Sequence, residues 1–190
     1  MSDVQENILN RRTIFRFLDK EVPNKCIENA LEAARSAPCH KNTHPWKFYI
    51  MGDETRKSLI PTVEKLAKQK ANTTDVGKIQ LTLQRARDKI LQPPVLIAVT
   101  SKLDSEDSFR EEEDYAATVC SLHNMILSLW DQDIGSQWST GSITRDPNTY
   151  SALSIAMDEE RIIGFVKVGY PEVIPSKEKK PISEIRFYLP

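Results

Sequence analysis

Glycine is scarce in this chain. Only six glycines occur among the 190 residues, and their spacing builds neither a GxGxxG nor a GxxxxGK[ST] loop, the glycine-rich cradles that hold nucleotide phosphates. A phosphate-bearing ligand would therefore have to be held by side chains. Arginine, lysine and hydroxyl groups are the side chains that suit a phosphate.

The sequence is also poor in cysteine, net charge and long apolar runs. Three widely spaced cysteines, Cys26, Cys39 and Cys120, form neither a disulfide framework nor a CxxC pair, so we expect a reducing, cytoplasmic location. The net charge of −1 provides no basic field for nucleic acid. No apolar run reaches the roughly 20 residues of a membrane span, and the N-terminus does not read as a secretory signal. We expect neither nucleic acid nor membrane as a partner.

The apolar pattern predicts about four strands separated by helices. The strand-like segments are WKFYIMG, PPVLIAVTS, IGSQWSTGSI and RIIGFVKVGYPE. Helices are predicted over residues 2–10, with Ser2 or Asp3 as cap, and over residues 24–37, with Asn24 as cap. Further helices are predicted over 53–69 with a break at Pro61, and over 78–92, 113–132 and 146–156. A chain of this length is expected to form one domain over residues 1–190.

The helix over residues 113–132 is apolar nearly all round, which is typical of a helix buried in a domain or at a subunit interface. Within it, Cys120 is expected in the core, and His123 in the core or at an interface. The tail ends in the apolar IRFYL, which we expect to wrap over another surface. Both features point to an oligomer.

Three polar clusters are candidates for chemistry. RRTIFR at residues 11–16 combines arginines with a hydroxyl, which suits a phosphate, although RRT alone is more typical of a surface charge cluster. APCHKNTHPW at residues 37–46 contains two of the three histidines. WSTGS at residues 138–142 is a small polar turn where backbone N–H groups could face a ligand.

The histidines of the second cluster admit two other interpretations. His40 and His44 are four residues apart, a spacing that binds zinc on a helix, but the bracketing Pro38 and Pro45 argue against a helical turn. The sequence therefore predicts no metal site. Cys39 beside His40 raises the alternative of a thiol nucleophile. We favour a small residue in a tight loop.

Taken in order, RRTIFRF, APCHKNTHPWKF, a buried helix, QWSTG and IIGFVKVGYPE resemble the nitroreductase family of FMN-dependent oxidoreductases. Members carry an RRSxRxF-like segment, an APSxxNxQPW segment and a late strand that ends in GYP. The resemblance covers about residues 8 to 175 and looks closest to the compact members. It implies an α+β, three-layer fold with helices on a central, mainly antiparallel or mixed sheet of four to five strands. It also implies a homodimer with FMN at the subunit interface and the C-terminal tail over the partner subunit.

The resemblance implies a phosphate site in the first cluster. Arg11 and Thr13 match the arginine and serine that bind the FMN phosphate, and Arg12 lies between them. Phe15 stands where the family has its next basic residue, so Arg16 is expected to supply that charge.

The second cluster matches the family segment that reaches the flavin from the other subunit. Asn42 matches the pattern, His40 stands where a small polar residue is common, and His44 stands where glutamine is common. These side chains and Lys41 are expected to be hydrogen-bond donors to the flavin, and Lys41 near its pyrimidine edge would favour the reduced anion.

The third cluster and the tail complete the implied site. Trp138, Ser139 and Thr140 match the segment that approaches the flavin ring, where a backbone N–H would reach flavin N5. A basic residue near the C-terminus commonly completes the phosphate site, and Lys180, or its neighbour Lys179, is the candidate.

The implied activity is a ping-pong reaction. NADH or NADPH delivers hydride to flavin N5, and a small electron-poor acceptor, a nitroaromatic or a quinone, is then reduced in the same pocket. The flavin carries the chemistry, so no catalytic side chain is predicted. Two alternatives stay open. One is another reaction of the same fold, such as reductive dehalogenation or metabolite oxidation, with residues 60–92 as a lid. The other is a non-catalytic FMN-binding protein.

Overall fold

Four antiparallel strands form one sheet in the computed structural model, which describes residues 4–190. The strands are β1 (Trp46–Ile50), β2 (Val95–Lys102), β3 (Gly135–Ser139) and β4 (Glu160–Gly169), in the order β1-β2-β4-β3. Every neighbouring pair is antiparallel. The four predicted strands are confirmed, and β1 and β3 form the two edges of the sheet.

Helices cover both faces of this sheet. They are α1 (Val4–Asn10), α2 (Asn24–Arg35), α3 (Asp53–Ser58), α4 (Ile60–Lys70), α5 (Val76–Leu91), α6 (Ser108–Asp131) and α7 (Pro147–Leu153). Because strand side chains alternate between faces, Ile97 and Val99 pack towards α2 and α6, whereas Leu96 and Ala98 pack towards α4 and α5. The predicted three-layer α+β fold is confirmed.

Side-chain caps explain where the helix boundaries differ from the prediction. Asp75 accepts a hydrogen bond from the Lys78 N–H, so α5 begins at Val76 rather than at residue 78. Asp107 accepts from the Arg110 N–H in the same way, so α6 begins at Ser108 rather than at residue 113. The predicted Asn24 cap is wrong because Asn24 is already helical and α2 has no side-chain cap bond. The predicted caps Ser2 and Asp3 lie outside the described residues.

The helical region around Pro61 divides as predicted. Helix α3 ends at Ser58 and α4 begins at Ile60, with Pro61 in the first turn of α4. Proline suits that position because the first N–H groups of a helix have no partner within the helix.

The segment at residues 11–17 lies along the outer edge of β3. Thr13 bridges to Ser136, and the Ile14 N–H donates to the Ser136 carbonyl at 2.9 Å. Gly135 makes this approach possible, since a Cβ there would lie 2.5 Å from Ile14 Cγ1. The first polar cluster is therefore fixed to the β3 edge.

Helix α6 is buried on one side only within the single chain. Leu122, Met125 and Leu129 belong to the core, whereas Cys120 and His123 are exposed. The expectation that Cys120 lies in the core is wrong for this chain alone, because its position faces away from α2 and the sheet.

Candidate functional site

A cleft of about 280 Å³ opens between α4, α5 and the turn that follows β3. Its apolar walls include Val63, Leu66 and Phe165, and Lys89 and Lys167 line it as well. The same two lysines line a second cavity of about 210 Å³, whose other residues include Phe15, Arg16 and Phe17. The two cavities are therefore neighbours on the α4 and α5 side of the sheet, and neither is lined by Arg11 or Thr13.

The turn after β3 offers backbone donors to this cleft. Thr140 and Gly141 both line it, and within residues 4–190 their N–H groups have no hydrogen-bond acceptor. Gly141 has φ +142°, which L side chains rarely adopt. The turn can thus present N–H groups to a ligand.

Trp138 and Ser139 hold the strand end that carries this turn. Trp138 Nε1 donates to the Ile163 carbonyl at 3.3 Å, and Ser139 Oγ donates to the Phe165 carbonyl at 3.2 Å. The Trp138 indole lies directly over Gly164, where a Cβ would be 2.1 Å from Nε1. Their side chains position the turn, and the cleft is lined by Ser139 and not by Trp138.

Arg11 and Arg12 have different surroundings. Arg12 Nη1 donates to the Leu9 carbonyl at 2.7 Å and to the Arg11 carbonyl at 3.0 Å, so it caps the end of α1. The partly buried guanidinium of Arg11 has no hydrogen-bond or ion-pair partner in the described chain. Burial and the nearby Arg12 charge lower the pKa of Arg11. An anion beside Arg11 would supply the missing partner.

The other three residues predicted to bind the phosphate lie in different parts of the chain. Thr13 sits beside Arg11 on the β3 edge, and Arg16 lines the second cavity but also pairs with Glu172 at 3.5 Å. Lys180 lies in the exposed tail, where its Nζ is 3.7 Å from Glu184. The structure does not bring Lys180 to the cleft.

The second polar cluster is a strained connection anchored on α6. Lys41, Asn42 and His44 all have positive φ, at 51°, 54° and 45°, a backbone region that non-glycine residues adopt at a cost. Thr43 Oγ1 donates to Asp114 at 2.8 Å, and Arg110 Nη2 donates to the His40 carbonyl at 3.3 Å. These bonds hold the segment and leave the Asn42 side chain without a partner in the described residues.

Both histidines of this segment contact neighbours within the chain. His40 Nδ1 lies 3.6 Å from Glu113 Oε1. His44 Nδ1 lies 4.0 Å from Cys39 Sγ, and its ring meets the edge of Trp46 at 5.5 Å. Among residues 4–190, no group of three or more histidine, cysteine, aspartate or glutamate side chains is arranged to hold a metal ion.

The first and second clusters lie at opposite corners of the sheet. The 40–44 segment precedes edge strand β1 beside the start of β4, whereas Thr13 pairs with edge strand β3 near the end of β4. Three strand spacings of about 4.8 Å separate the edges by roughly 14 Å in addition to the offset along the strands. One chain does not bring the two clusters together.

Four polar residues of the cleft are not among the predicted site residues: Lys70, Lys89, Gln137 and Lys167. Lys167 is 9% exposed, and its Nζ donates to Gln137 Oε1 at 2.9 Å. Burial and the nearby Lys89 lower the pKa of Lys167 to about 8. The available signal was a single lysine inside the apolar strand RIIGFVKVGY, since lysine is rarely buried without a reason.

No helix within residues 4–190 has the length and apolar character needed to cross a membrane.

Comparison with known proteins identifies similar chains. The model of the Nitroreductase family matches residues 8–170. YfhC of Bacillus subtilis (strain 168), provisionally named an NAD(P)H nitroreductase, is 30% identical over 98% of this chain and 93% of its own length.

Solved structures have the same fold. The nitroreductase-like family protein of Bacillus cereus superposes with a TM-score of 0.84 at 26% identity, covering 100% of this chain and 97% of that one. An iodotyrosine deiodinase bound to FMN and 3-iodo-L-tyrosine superposes with a TM-score of 0.72 at 22% identity, covering 94% and 95% of the two chains. At that identity, the deiodinase shows the fold alone.

Proposed function

The chain belongs to the nitroreductase family, and we propose that it binds FMN beside the β3 turn, with the FMN phosphate at Arg11 and Thr13, and passes electrons from NADH or NADPH to an electron-poor small molecule. Like the relatives that are named NAD(P)H nitroreductases, it is an NAD(P)H-dependent flavin oxidoreductase. FMN, when bound, supplies the chemistry by accepting hydride at N5 in the first half of a ping-pong cycle.

One observation carries the proposal: the β3 turn and the 11–17 segment beside β3 offer hydrogen-bond donors and a cation that have no partner in the described chain. Within residues 4–190, the N–H groups of Thr140 and Gly141 have no acceptor and the guanidinium of Arg11 has no anionic partner. A flavin ring carries hydrogen-bond acceptors along its polar edge, which suit the free N–H groups of the β3 turn. FMN adds a phosphate, which fits the unpaired Arg11.

Different residues would bind different parts of FMN. Arg11 and Thr13 would bind the phosphate, and Arg16 would add charge where Phe15 replaces the family's basic residue. The Thr140 and Gly141 N–H groups would approach the reactive edge of the ring. Arg12 contributes by capping α1 and so fixing the position of Arg11.

The proposal includes a homodimer in which each FMN contacts both chains. The opposite placement of the two clusters supports it, since Asn42 could reach an FMN held by Arg11 only from a second chain. The exposed side of α6 and the exposed apolar tail, with Phe187 80% and Leu189 89% exposed, support the same arrangement. In this arrangement the tail and Lys180 extend over the partner subunit.

Nitroaromatics and quinones are the proposed acceptors, and reductive dehalogenation is the second candidate. The second candidate is favoured by α4 and α5, because Val63, Leu66 and Ile90 of the predicted lid region line the cleft. Steady-state turnover of a nitroaromatic, a quinone and a halogenated phenol under identical conditions would rank the two reactions.

A cytoplasmic location is part of the proposal. It rests on three cysteines that are free in the structure, Cys26, Cys39 and Cys120.

The direct experiment is spectroscopic. The purified protein, reconstituted with FMN, should be yellow, should lose its colour under anaerobic NADH or NADPH, and should regain it when a quinone is added. A protein that takes up no FMN would contradict the proposed cofactor. A yellow protein that neither nucleotide reduces would instead indicate a non-catalytic flavin-binding protein.

A further inference from the structure

Lys167 is a buried cation without a counter-charge. It lies on β4, lines the cleft beside α4 and α5, and is only 9% exposed. Burial and the nearby Lys89 lower the pKa of Lys167 to about 8, so its ammonium group is still protonated at pH 7. A buried ammonium group is ordinarily paired with a carboxylate, because desolvating an unpaired charge is costly. The described part of the chain supplies only a neutral acceptor, the Gln137 amide.

The hydrogen bond to Lys167 also fixes the orientation of the Gln137 amide. An ammonium group can only donate, so the amide oxygen faces Lys167, at 2.9 Å, and the NH₂ group points away from it. That NH₂ group has no acceptor within residues 4–190. Lys167 Nζ and Gln137 Nε2 are therefore neighbouring donors, and both residues line the cleft of about 280 Å³.

The rest of this cleft combines further positive charge with apolar walls. Lys70 of α4 and Lys89 of α5 line it, and neither has an ion-pair partner in the described chain. Its apolar walls include Phe165, Val63 and Leu66. No described aspartate or glutamate lines it. A complementary ligand is therefore apolar over most of its surface and carries an anionic group.

The cleft lies apart from the residues assigned to the FMN phosphate. Arg11 and Thr13 line neither this cleft nor the neighbouring cavity. Burial and the charge of Arg11 lower the pKa of His123 on α6, which places Arg11 near that helix. Helix α6 packs against one face of the sheet, whereas α4 and α5 pack against the other. The face that carries Lys167 is therefore open to a second ligand.

We propose that the cleft beside α4 and α5 is a binding site, separate from the FMN phosphate site, for a small organic carboxylate with an apolar body. The carboxylate accepts hydrogen bonds from Lys167 Nζ and Gln137 Nε2, and the apolar body packs against Phe165 and Leu66. A carboxylate suits this pair of donors because its two oxygens can each accept one of the two bonds. Arginine, which binds phosphate through two parallel hydrogen bonds, does not line this cleft.

The test compares two compounds of nearly the same shape, benzoate and benzamide, of which only benzoate is charged. Calorimetric titration of the full chain, with and without bound FMN, measures both affinities. Lys167→Met and Lys89→Met each remove one positive charge from the cleft. Lys78→Met is the matched control, because Lys78 is exposed on the same helix as Lys89 and does not line the cleft.

Benzoate should bind to the wild type at least about tenfold more tightly than benzamide, because hydrogen bonds to charged groups are the stronger kind. Lys167→Met should lose at least about tenfold in affinity for benzoate and keep its affinity for benzamide. Lys89→Met should lose less, since Lys89 is exposed, and Lys78→Met should bind benzoate like the wild type. Bound FMN should leave these affinities unchanged.

Equal affinity of the wild type for benzoate and benzamide would overturn the proposal, as would an unchanged benzoate affinity in Lys167→Met. If Lys167→Met does not fold, the comparison of Lys89→Met with Lys78→Met decides, and equal benzoate affinities would count against the site. Tighter binding of phenyl phosphate than of benzoate would refute the carboxylate assignment.

The titrations with FMN separate this proposal from the proposed function. Loss of benzoate binding once FMN is bound would show that the cleft belongs to the flavin site, and a separate site would then be wrong. A chain that binds benzoate as expected but takes up no FMN would contradict the proposed function and leave the carboxylate site supported.

Discussion

At the scale of single residues, the structure separates side chains that face a ligand from those that hold them in place. Arg11 and Lys167 are cations without anionic partners in the described chain. Arg12, Trp138 and Ser139 instead donate hydrogen bonds to backbone carbonyls. Because the two arginines are adjacent, they form a matched pair for experiment.

Arg11→Ala should weaken FMN binding at least about tenfold more than Arg12→Ala. Charge-assisted hydrogen bonds contribute about 1.5–3 kcal/mol, and about 1.4 kcal/mol corresponds to a factor of ten in affinity. Arg12→Ala should mainly lower stability, because it removes the bonds to the Leu9 and Arg11 carbonyls. Titration of FMN fluorescence on each apoprotein measures the dissociation constants. Equal losses of affinity would refute the phosphate assignment of Arg11.

Site residues that belong to a sequence motif could be predicted, whereas site residues that only the packing of the fold brings together could not. Arg11, Thr13 and Asn42 could be found because their spacing along the chain is itself the signal. Gln137 and Lys89 could not, since only the fold brings α5 and β3 to one cleft. Lys167 is an intermediate case. Its place in an apolar strand was visible, but the absence of a counter-charge is a property of the folded chain.

At the scale of elements, the turn after β3 depends on a close approach between β3 and β4. Gly164 lies beneath Trp138, and a Cβ there would also be 3.0 Å from the Ser139 carbonyl oxygen. The backbone that carries Thr140 and Gly141 must therefore move if residue 164 gains a side chain.

Gly164→Ala should destabilise the protein by about 1–3 kcal/mol, the usual cost of overpacking, and should reduce FMN retention. Gly52→Ala is the matched control, since nothing lies within 4 Å of the position of its Cβ. Urea unfolding and the FMN content per chain measure the two effects. A Gly164→Ala protein as stable and as yellow as the Gly52→Ala protein would contradict the role given to this contact.

The side chain of Glu160 on β4 links β1 and β2 at one end of the sheet through hydrogen bonds. Its carboxylate accepts hydrogen bonds from Lys47, Thr100 and Tyr49. Burial alone would raise the pKa of Glu160, but these three hydrogen bonds together hold it below its usual value. A lowered pKa contributes stability above the unfolded-state pKa, and that contribution is lost as the pH falls through the folded-state value.

Glu160→Gln should therefore cost about 1–3 kcal/mol at pH 7, the range for a lost buried hydrogen-bond partner. The difference from wild type should shrink as the pH falls below about 4, where the wild-type carboxylate also becomes protonated. Urea unfolding at several pH values measures the difference, with the exposed neighbour variant Glu159→Gln as control. A difference that does not change with pH would show that the charge of Glu160 is irrelevant to stability.

Sequence periodicity predicted all four strands and the break near Pro61, because apolar alternation and proline act locally. It misplaced the starts of α5 and α6, where a single aspartate cap extends the helix beyond its apolar stripe. It did not predict the long-range pairing of the 11–17 segment with β3.

At the scale of the whole molecule, the single chain leaves the apolar residues of its C-terminal tail without a surface to pack against. Five apolar residues of the tail are 64–89% exposed: Ile182, Ile185, Phe187, Tyr188 and Leu189. The family resemblance predicted a partner subunit over this surface, and that arrangement stays a prediction. The contacts within one chain cannot show which of its surfaces a partner subunit would bury.

The division of the site between two chains has a direct test by complementation. In a dimer of one Arg11→Ala chain and one Asn42→Ala chain, one site loses both residues and the other keeps both. Each homodimer, by contrast, lacks one of the two residues in both of its sites. The mixed dimer can be isolated with two different affinity tags, at an FMN concentration that leaves both variant homodimers empty.

The decisive measurement is the number of FMN molecules bound per mixed dimer, together with its bleaching by anaerobic NADH or NADPH. We predict one FMN per dimer, bleached by the nucleotide, because one complete site is restored across the interface. A mixed dimer that stays as empty as the two variant homodimers would contradict a shared flavin site and place Arg11 and Asn42 at unrelated positions.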